Sequence, residues 1–336
     1  MLKTIPLILL LISSITLAAE TAHFHFIREI PIGGEGGWDY VSVDSVARKL
    51  YMSHATKVVV IDLEKNIISG EILDTPGVHG FAIASELGRG FSSNGKENKV
   101  NIVDLSTLKT ISKVPTGENP DAIVYESGQQ EVYAFNGRGK SVTIIQGKTG
   151  VVVATLELPG KPEFAAVDAK AHRVYIDIED KSLIVSIDSL THKIVATWPI
   201  APGETPTAIA IDVKNHRLFL GCENQKMVMM DSATGKIIDT VPIGKGVDAT
   251  VFDPATQFVF NSNGEGTVTV VREVSPENLA VVQTIQTQKG ARTMALDEKT
   301  HQIYLPTAQF EALPPGSLNH RPKLIAGTQK LLVYGP

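Results

Sequence analysis

Cysteine is almost absent: Cys222 is the only one in 336 residues. No intrachain disulfide can form, so a packed core must hold the fold together. Aromatic residues are few, at 6%. The apolar content rests on Val, Ile and small side chains, a mix that suits pleated strands. The formal net charge is only −5 and no block of like charges stands out, which gives no support to a general electrostatic grip on nucleic acid. Beyond the first twenty residues, no apolar run approaches the ~20 residues of a membrane-crossing helix. Local chemical motifs are missing as well. There is no Gly-x-Ser-x-Gly elbow, no Cys-x-x-Cys-His haem attachment and no pair of zinc ligands at helical spacing.

What is present begins with an address. Lys3 precedes an apolar stretch from Ile5 to Leu17, interrupted by Ser13, Ser14 and Thr16, and Ala18-Ala19 then offers small residues before Glu20. Residues 1–19 read as a cleaved secretory signal. That places the mature chain in the periplasm or outside the cell, as a soluble protein whose charge moves from −5 to −6 with the loss of Lys3.

The rest of the chain repeats itself. One phrase recurs seven times: an apolar strand closed by a polar residue, a turn, a strand ending in an aromatic, a polar loop, then a Val/Ile-rich strand. The closing residues are Asp44, Ser85, Glu126, Asp168, Asp212, Asp253 and Asp297, separated by 41, 41, 42, 44, 41 and 44 residues. Second strands such as Lys49-Leu-Tyr51, Arg173-Val-Tyr175 and Arg217-Leu-Phe219 follow. Third strands such as Val58-Val-Val-Ile61 and Met227-Val-Met-Met230 are nearly continuous apolar runs, a sign of burial on both faces. Six repeats carry a fourth strand and the seventh ends without one. The spare strand is Phe24–Ile32, whose ending Glu29-Ile-Pro-Ile-Gly33 matches Asp239-Thr-Val-Pro-Ile-Gly244. The expected fold is all-β: a single seven-bladed β-propeller over 20–336, with four-stranded antiparallel blades. The N-terminal strand completes the last blade and closes the ring. One such sheet cannot cover both its faces alone, whereas a ring leaves no end sheet bare. An open solenoid would need polar caps, and none is visible.

These repeats resemble the YVTN-type, YncE-like seven-bladed propellers of exported bacterial proteins over about residues 23–336. The cues are the Val/Ile-Asp strand endings, the basic-apolar-aromatic second strand and turns such as Asp231-Ser-Ala-Thr-Gly-Lys236. The Tyr-Val-Thr-Asn signature survives in altered form as Tyr51-Met-Ser-His54, Tyr133-Ala-Phe-Asn136 and Phe260-Asn-Ser-Asn263. The repeating Gly-His and Trp-Asp signature of WD40 repeats is not found. The resemblance implies fold and compartment, and it carries no shared catalytic set.

In such a ring, ligands commonly sit at the channel mouth on the face formed by the loops leading into first strands and those joining second to third strands. His172, His216 and His301 fall on the opposite face, at equivalent positions, and read as turn residues, as do the acids closing the first strands. The binding face offers Gly33-Gly-Glu-Gly-Gly-Trp38-Asp39, a loop suited either to stacking a polar ligand or to burying Trp38 between blades. His54 and His79 should face that side on neighbouring blades. With Asp39 they could do acid–base work or hold a divalent metal, with His320 as a further ligand. No cofactor is otherwise expected. Asp121, Glu163, Thr207, Asp248 and Arg292 lead into other first strands, and Arg138 and Arg292 could receive a carboxylate or phosphate or simply pair with nearby acids. In blade seven a stretch of 306–330 replaces a short loop. It carries four prolines, Phe310, His320 and Arg321, and it reads as a lid, a docking surface or a floppy insertion. Cys222 reads as a buried thiol.

The candidate ligand-binding set is therefore Trp38, Asp39, His54, His79, Asp121, Arg138, Asp248, Arg292 and His320. The favoured function is a monomeric exported propeller that binds a small polar ligand or an exported protein partner without catalysis. A lactonase- or lyase-type propeller enzyme is the alternative, and an accessory to an exported redox system rests on analogy alone.

Overall fold

The computed structural model describes residues 23–312 and 322–336. The expected signal segment 1–19, His320 and Arg321 lie outside the described residues. Seven four-stranded antiparallel sheets make up the described fold. Six are continuous in sequence, over 41–72, 78–115, 120–157, 162–199, 206–242 and 247–286. The seventh contains Ala295–Asp297, Gln302–Thr307 and Lys330–Gly335, and its outermost strand is His25–Pro31, from the other end of the chain. These sheets are blades 1 to 7. Their first strands neighbour one another in order, and that of blade 7 lies beside that of blade 1.

The strand His25–Pro31 is held by more than ladder bonds. Ile30 sits opposite Leu331 and is 1% exposed. Glu29 pairs with Lys330 at 2.6 Å. Just before the strand, Phe24 meets Phe260 of blade 6 edge-to-face at 4.8 Å.

The second-strand aromatics explain why the repeat needs them. Tyr51 stacks on Phe81 of blade 2 at 4.7 Å, Phe91 on Tyr125 of blade 3 at 6.4 Å, and Phe219 lies 5.2 Å from Phe252 of blade 6. Each ring is thus buried against the next sheet, a contribution of roughly 1.5–3 kcal/mol per side chain. Third strands fill the blade centres: Val58, Val59, Val60 and Ile61 are at most 1% exposed.

The turns between first and second strands share one backbone device. Arg48, Gly88, Gln130, His172, His216, Gln257 and His301 each precede a second strand in the left-handed conformation, with φ between +55° and +62°. Side chains other than glycine are disfavoured there, so the turn must be held from outside. The closing acids hold it. Asp44 accepts the N–H groups of Val46 and Ala47, Asp168 that of Ala171, Asp212 that of Lys214, Asp253 that of Ala255 and Asp297 that of Lys299. The turn role expected for His172, His216 and His301 is what the backbone shows. His301 also pairs with Asp253 at 2.7 Å. On the same face Arg48 of blade 1 reaches Asp297 of blade 7 at 2.6 Å, with both side chains nearly buried.

Candidate functional site at the channel mouth

The mouth is built by irregularities at the start of the first strands. In five blades the register with the second strand slips at this end: between Val78 and Phe81, Pro120 and Ile123, Pro162 and Ala165, Pro206 and Ala208, and Val247 and Ala249. The slipped residues include His79, Asp121, Glu163, Thr207 and Asp248. A bulge re-aims side chains out of the ordinary alternation, and here it turns one polar group per blade toward the shared axis. Blades 1 and 7 supply Asp39 and Arg292 from the loops before their first strands.

Bonds between blades fix these segments. Thr293 Oγ1 donates to the Asp39 carbonyl at 2.8 Å, and the Tyr40 N–H donates to the His79 carbonyl at 3.1 Å. Ser93 Oγ accepts the Gly80 N–H and donates to the Asp121 carbonyl at 2.5 Å. Thr207 Oγ1 donates to the Val247 carbonyl at 2.7 Å.

Tyr40 closes the channel beneath the polar ring. It springs from blade 1, yet its hydroxyl donates to the Glu163 carbonyl of blade 4 at 2.6 Å and its ring meets Phe164 at 5.0 Å. Burial first, then the charges of Asp121, Glu163, Asp39 and Asp248, hold the phenol well above its ordinary pKa. It stays a neutral donor.

His79 lies between two carboxylates. Its Nδ1 donates to Asp39 Oδ2 at 2.6 Å and stands 3.4 Å from Asp121 Oδ1. Burial acts to lower the imidazole pKa. The Asp39 hydrogen bond, the charges of Asp121 and Asp39 and a bond to Asn119 outweigh it and raise the value to about 9. Three acids near it are also shifted upward. Burial, and then Asp39 against the opposing pull of Arg292, lifts Asp248 to about 7. Burial lifts Asp121 and Glu163 too, each carboxylate feeling the others. Lys161 pairs with Glu163 at 2.8 Å and with Glu179, and Arg292 Nε stands 3.4 Å from Asp248.

His54 takes no part in this group. It is 1% exposed, and its Nε2 meets the Gly33 carbonyl at 2.9 Å. The physical reason is its place in the repeat. Asn94, Asn136 and Asn263 occupy the same strand end in other blades and brace the following turn, as Asn136 does toward Ser141 and Thr143. His54 occupies this bracing position and holds the glycine loop instead. The expected meeting of His54 with His79 and Asp39 is therefore replaced by one of Asp39, His79 and Asp121.

Beside the mouth lies a cleft of about 950 Å³. Trp38, Asp39, Asp248 and Arg292 line one side, and Phe310, Leu324 and Ile325 of the blade-seven insertion line the other. Pro306, Thr307 and Lys330 belong to strands, so the inserted segment is 308–329, slightly shorter than expected. Phe310 bridges to Leu324, and its ring centroid lies 6.3 Å from that of Trp38. The ring fits because Gly290, at φ +82°, has no Cβ; one would stand 2.8 Å from Phe310. The Gly327 N–H donates to the Gly34 carbonyl at 2.7 Å, tying the insertion to the glycine loop. Trp38 is partly buried: like Ile32, Val41 and Val43 it packs against the core cluster that includes Leu50 and Leu331, while its indole N–H donates to the Arg292 carbonyl at the cleft. Arg138 is exposed on the turn after Asn136 in blade 3 and does not line the cleft. Cys222 is buried, its thiol pushed up to about 12 by burial and then by Asp177.

No family model matches this sequence. Among curated proteins it is 28% identical over 148 residues to the uncharacterized protein YncE of Salmonella typhi, and 27% identical over the same length to that of Salmonella typhimurium strain LT2. Over that stretch the chain resembles the YncE proteins. Each match covers 42% of this chain and 42% of the relative, so the chain spans under half the length of the YncE proteins it matches. Among solved structures, those of U3-55K and of the RRP9 WD40 repeats superpose with TM-scores of 0.77 and 0.76 over 91% of this chain, covering 98% and 97% of theirs. At 9% and 8% identity they share the fold alone with this propeller.

Proposed function

We propose that this protein is a binding propeller whose cleft takes a small organic cation, an amine carried on an apolar body. The observation that supports this is the pairing of two kinds of wall in one cleft. Trp38 and Phe310, with Leu324 and Ile325, offer aromatic and aliphatic surface, and Asp39 and Asp248 offer carboxylates. Aromatic faces attract cations through the ring quadrupole, and a carboxylate at one end of an apolar slot fixes the orientation of an amine. The cleft is lined by Asp39, Asp248 and Glu311 against Lys289 and Arg292, and Asp121 and Glu163 stand beside His79 and Lys161 at the mouth, a small excess of acid that favours positive ligands. An arriving cation would favour ionised Asp248, whose pKa burial raises to about 7. Binding should then release a proton and tighten between pH 6 and pH 8. The same proposal places the protein outside the cytoplasm, on the strength of its leader sequence.

The test is a thermal-shift screen with aliphatic and aromatic amines, primary and quaternary. Binding at 100 times Kd raises stability by about 2.7 kcal/mol, a readable shift. The shift should vanish in Trp38→Ala and in Asp248→Asn. If no amine moves the midpoint, or if both variants respond like the parent, the cleft does not have this role.

A further inference from the structure

We propose that Asp39, His79 and Asp121 form a binding site for a divalent first-row metal ion such as Zn²⁺ or Mn²⁺, held through His79 Nδ1 and one oxygen of each carboxylate. One ligand atom from each residue lies within 4.8 Å of the others. Of the two contacts of Nδ1, the 3.4 Å to Asp121 matches the ~3.4 Å between ligands expected for metal bonds of about 2.1 Å, and the 2.6 Å to Asp39 would have to open to that distance as the proton leaves. One imidazole with two carboxylates is a mixed nitrogen and oxygen set that suits these ions.

Three further observations point the same way. Asp121 is 9% exposed. Among the described residues its carboxylate has no hydrogen-bond donor, only the ionic contact to His79 at 3.4 Å. A buried carboxylate without donors is costly, and an ion at Nδ1 would answer it. The other end of the imidazole faces Asn119. Gly95 leaves room for both side chains, because a Cβ there would stand 2.7 Å from His79 Nε2 and 2.6 Å from Asn119 Oδ1. Metal-bound histidines are typically oriented by a polar partner at the far nitrogen. Finally, the ligands come from three successive blades, locked by the Tyr40-to-His79 and Ser93-to-Asp121 bonds.

In the metal-free protein, a proton on Nδ1 does the work of the ion, as the cation shared between two carboxylates. Metal binding exchanges that proton for the ion: His79 Nδ1–H releases H⁺ to solvent, and the nitrogen lone pair binds the metal. Three protein ligands leave coordination positions open to water, the arrangement of exchangeable rather than structural sites. The site shares only Asp39 with the cleft, since His79 and Asp121 do not line it.

Isothermal titration of the chelator-dialysed full-length protein with Zn²⁺ alone, at pH 7.5 in two buffers of different ionisation enthalpy, tests it. One ion per chain with close to one proton released is the expected result. His79→Gln and Asp121→Asn should weaken binding by roughly tenfold or more, while Lys193→Ala, exposed on the last strand of blade 4, should leave it unchanged. Asp121→Asn keeps the side-chain shape, so it serves if His79→Gln does not fold; far-UV dichroism reports which case holds. Absence of saturable one-to-one binding in the parent protein, or parent-like binding in a folded Asp121→Asn variant, overturns the proposal.

Discussion

Tyr40 offers a direct measure of how rigidly the seven blades hold the channel. Removing only its hydroxyl, as Tyr40→Phe, deletes the 2.6 Å bond to the Glu163 carbonyl. An acceptor left unpaired away from water costs about 1–3 kcal/mol. Tyr40→Ala also deletes the ring that packs on Phe164. Large-to-small changes at aromatic sites cost about 3–5 kcal/mol, the upper end applying where the surroundings cannot relax. The width of the channel is fixed by packed neighbouring sheets, so this void should not collapse and the upper end applies. Taking ~2.1 cal/mol/K of unfolding entropy per residue over roughly 300 residues, 2 kcal/mol corresponds to about 3 °C of melting temperature and 5 kcal/mol to about 8 °C. Calorimetry of the two variants beside the parent provides the assay. A Tyr40→Phe protein that melts with the parent, or a Tyr40→Ala protein no worse than Tyr40→Phe, would refute the picture of a channel spanned by a load of fixed length.

Two other outcomes follow from the buried charges. His79 titrates near 9 when folded. Because that value is raised, the stability it confers is complete below about pH 6.5 and is lost as pH climbs through about 9, a loss of roughly 1–3 kcal/mol. The raised carboxyls of Asp121 and Asp248 add to the same trend, weakening the fold as pH rises from about 4 toward 7. Urea midpoints of the metal-free protein should therefore fall between pH 5.5 and pH 9, and His79→Gln should flatten the decline above pH 7; a rise over that range would contradict the assignment. Cys222, with its thiol near 12 and no exposure, should resist an aromatic disulfide reagent in the native protein and react fully only in denaturant. Rapid labelling of the native protein would show that blade 5 opens at this point.

The blades were legible in the sequence because their period is carried by the core. Tyr51, Phe219 and their equivalents recur since every sheet needs the same ring at the same junction, and the closing acids recur because six of the seven left-handed turns take the same acceptor, the turn after Ser85 using Gly88 instead. The mouth was legible only as a set of positions. Asp121, Asp248 and Arg292 could be placed there by counting, but which side chains meet depends on strand bulges, which leave no local mark. His54 looked like a partner for His79 because both are imidazoles near one face. Its equivalence to Asn94, Asn136 and Asn263 was the available signal that it braces a turn. Tyr40 carried a signal as well. Four residues before the closing residue, the seven repeats have Tyr40, Phe81, Ala122, Phe164, Ala208, Ala249 and Thr293, and a phenol among mostly small residues at the axis must reach across it. Asn119 and Gly95 could not have been singled out, since their roles exist only relative to the ring they hold.

The pairing of His25–Pro31 with Lys330–Gly335 has a consequence for biogenesis. The strand His25–Pro31 finds its partner only when Lys330–Gly335 has been made, some 300 positions later. Joining segments so far apart costs chain entropy that grows only with the logarithm of the separation, so the delay is a larger obstacle than the energy. Until then blade 7 has a bare flank at which a foreign strand could pair, and slowing the arrival of the C-terminus should prolong that exposure without altering the finished molecule.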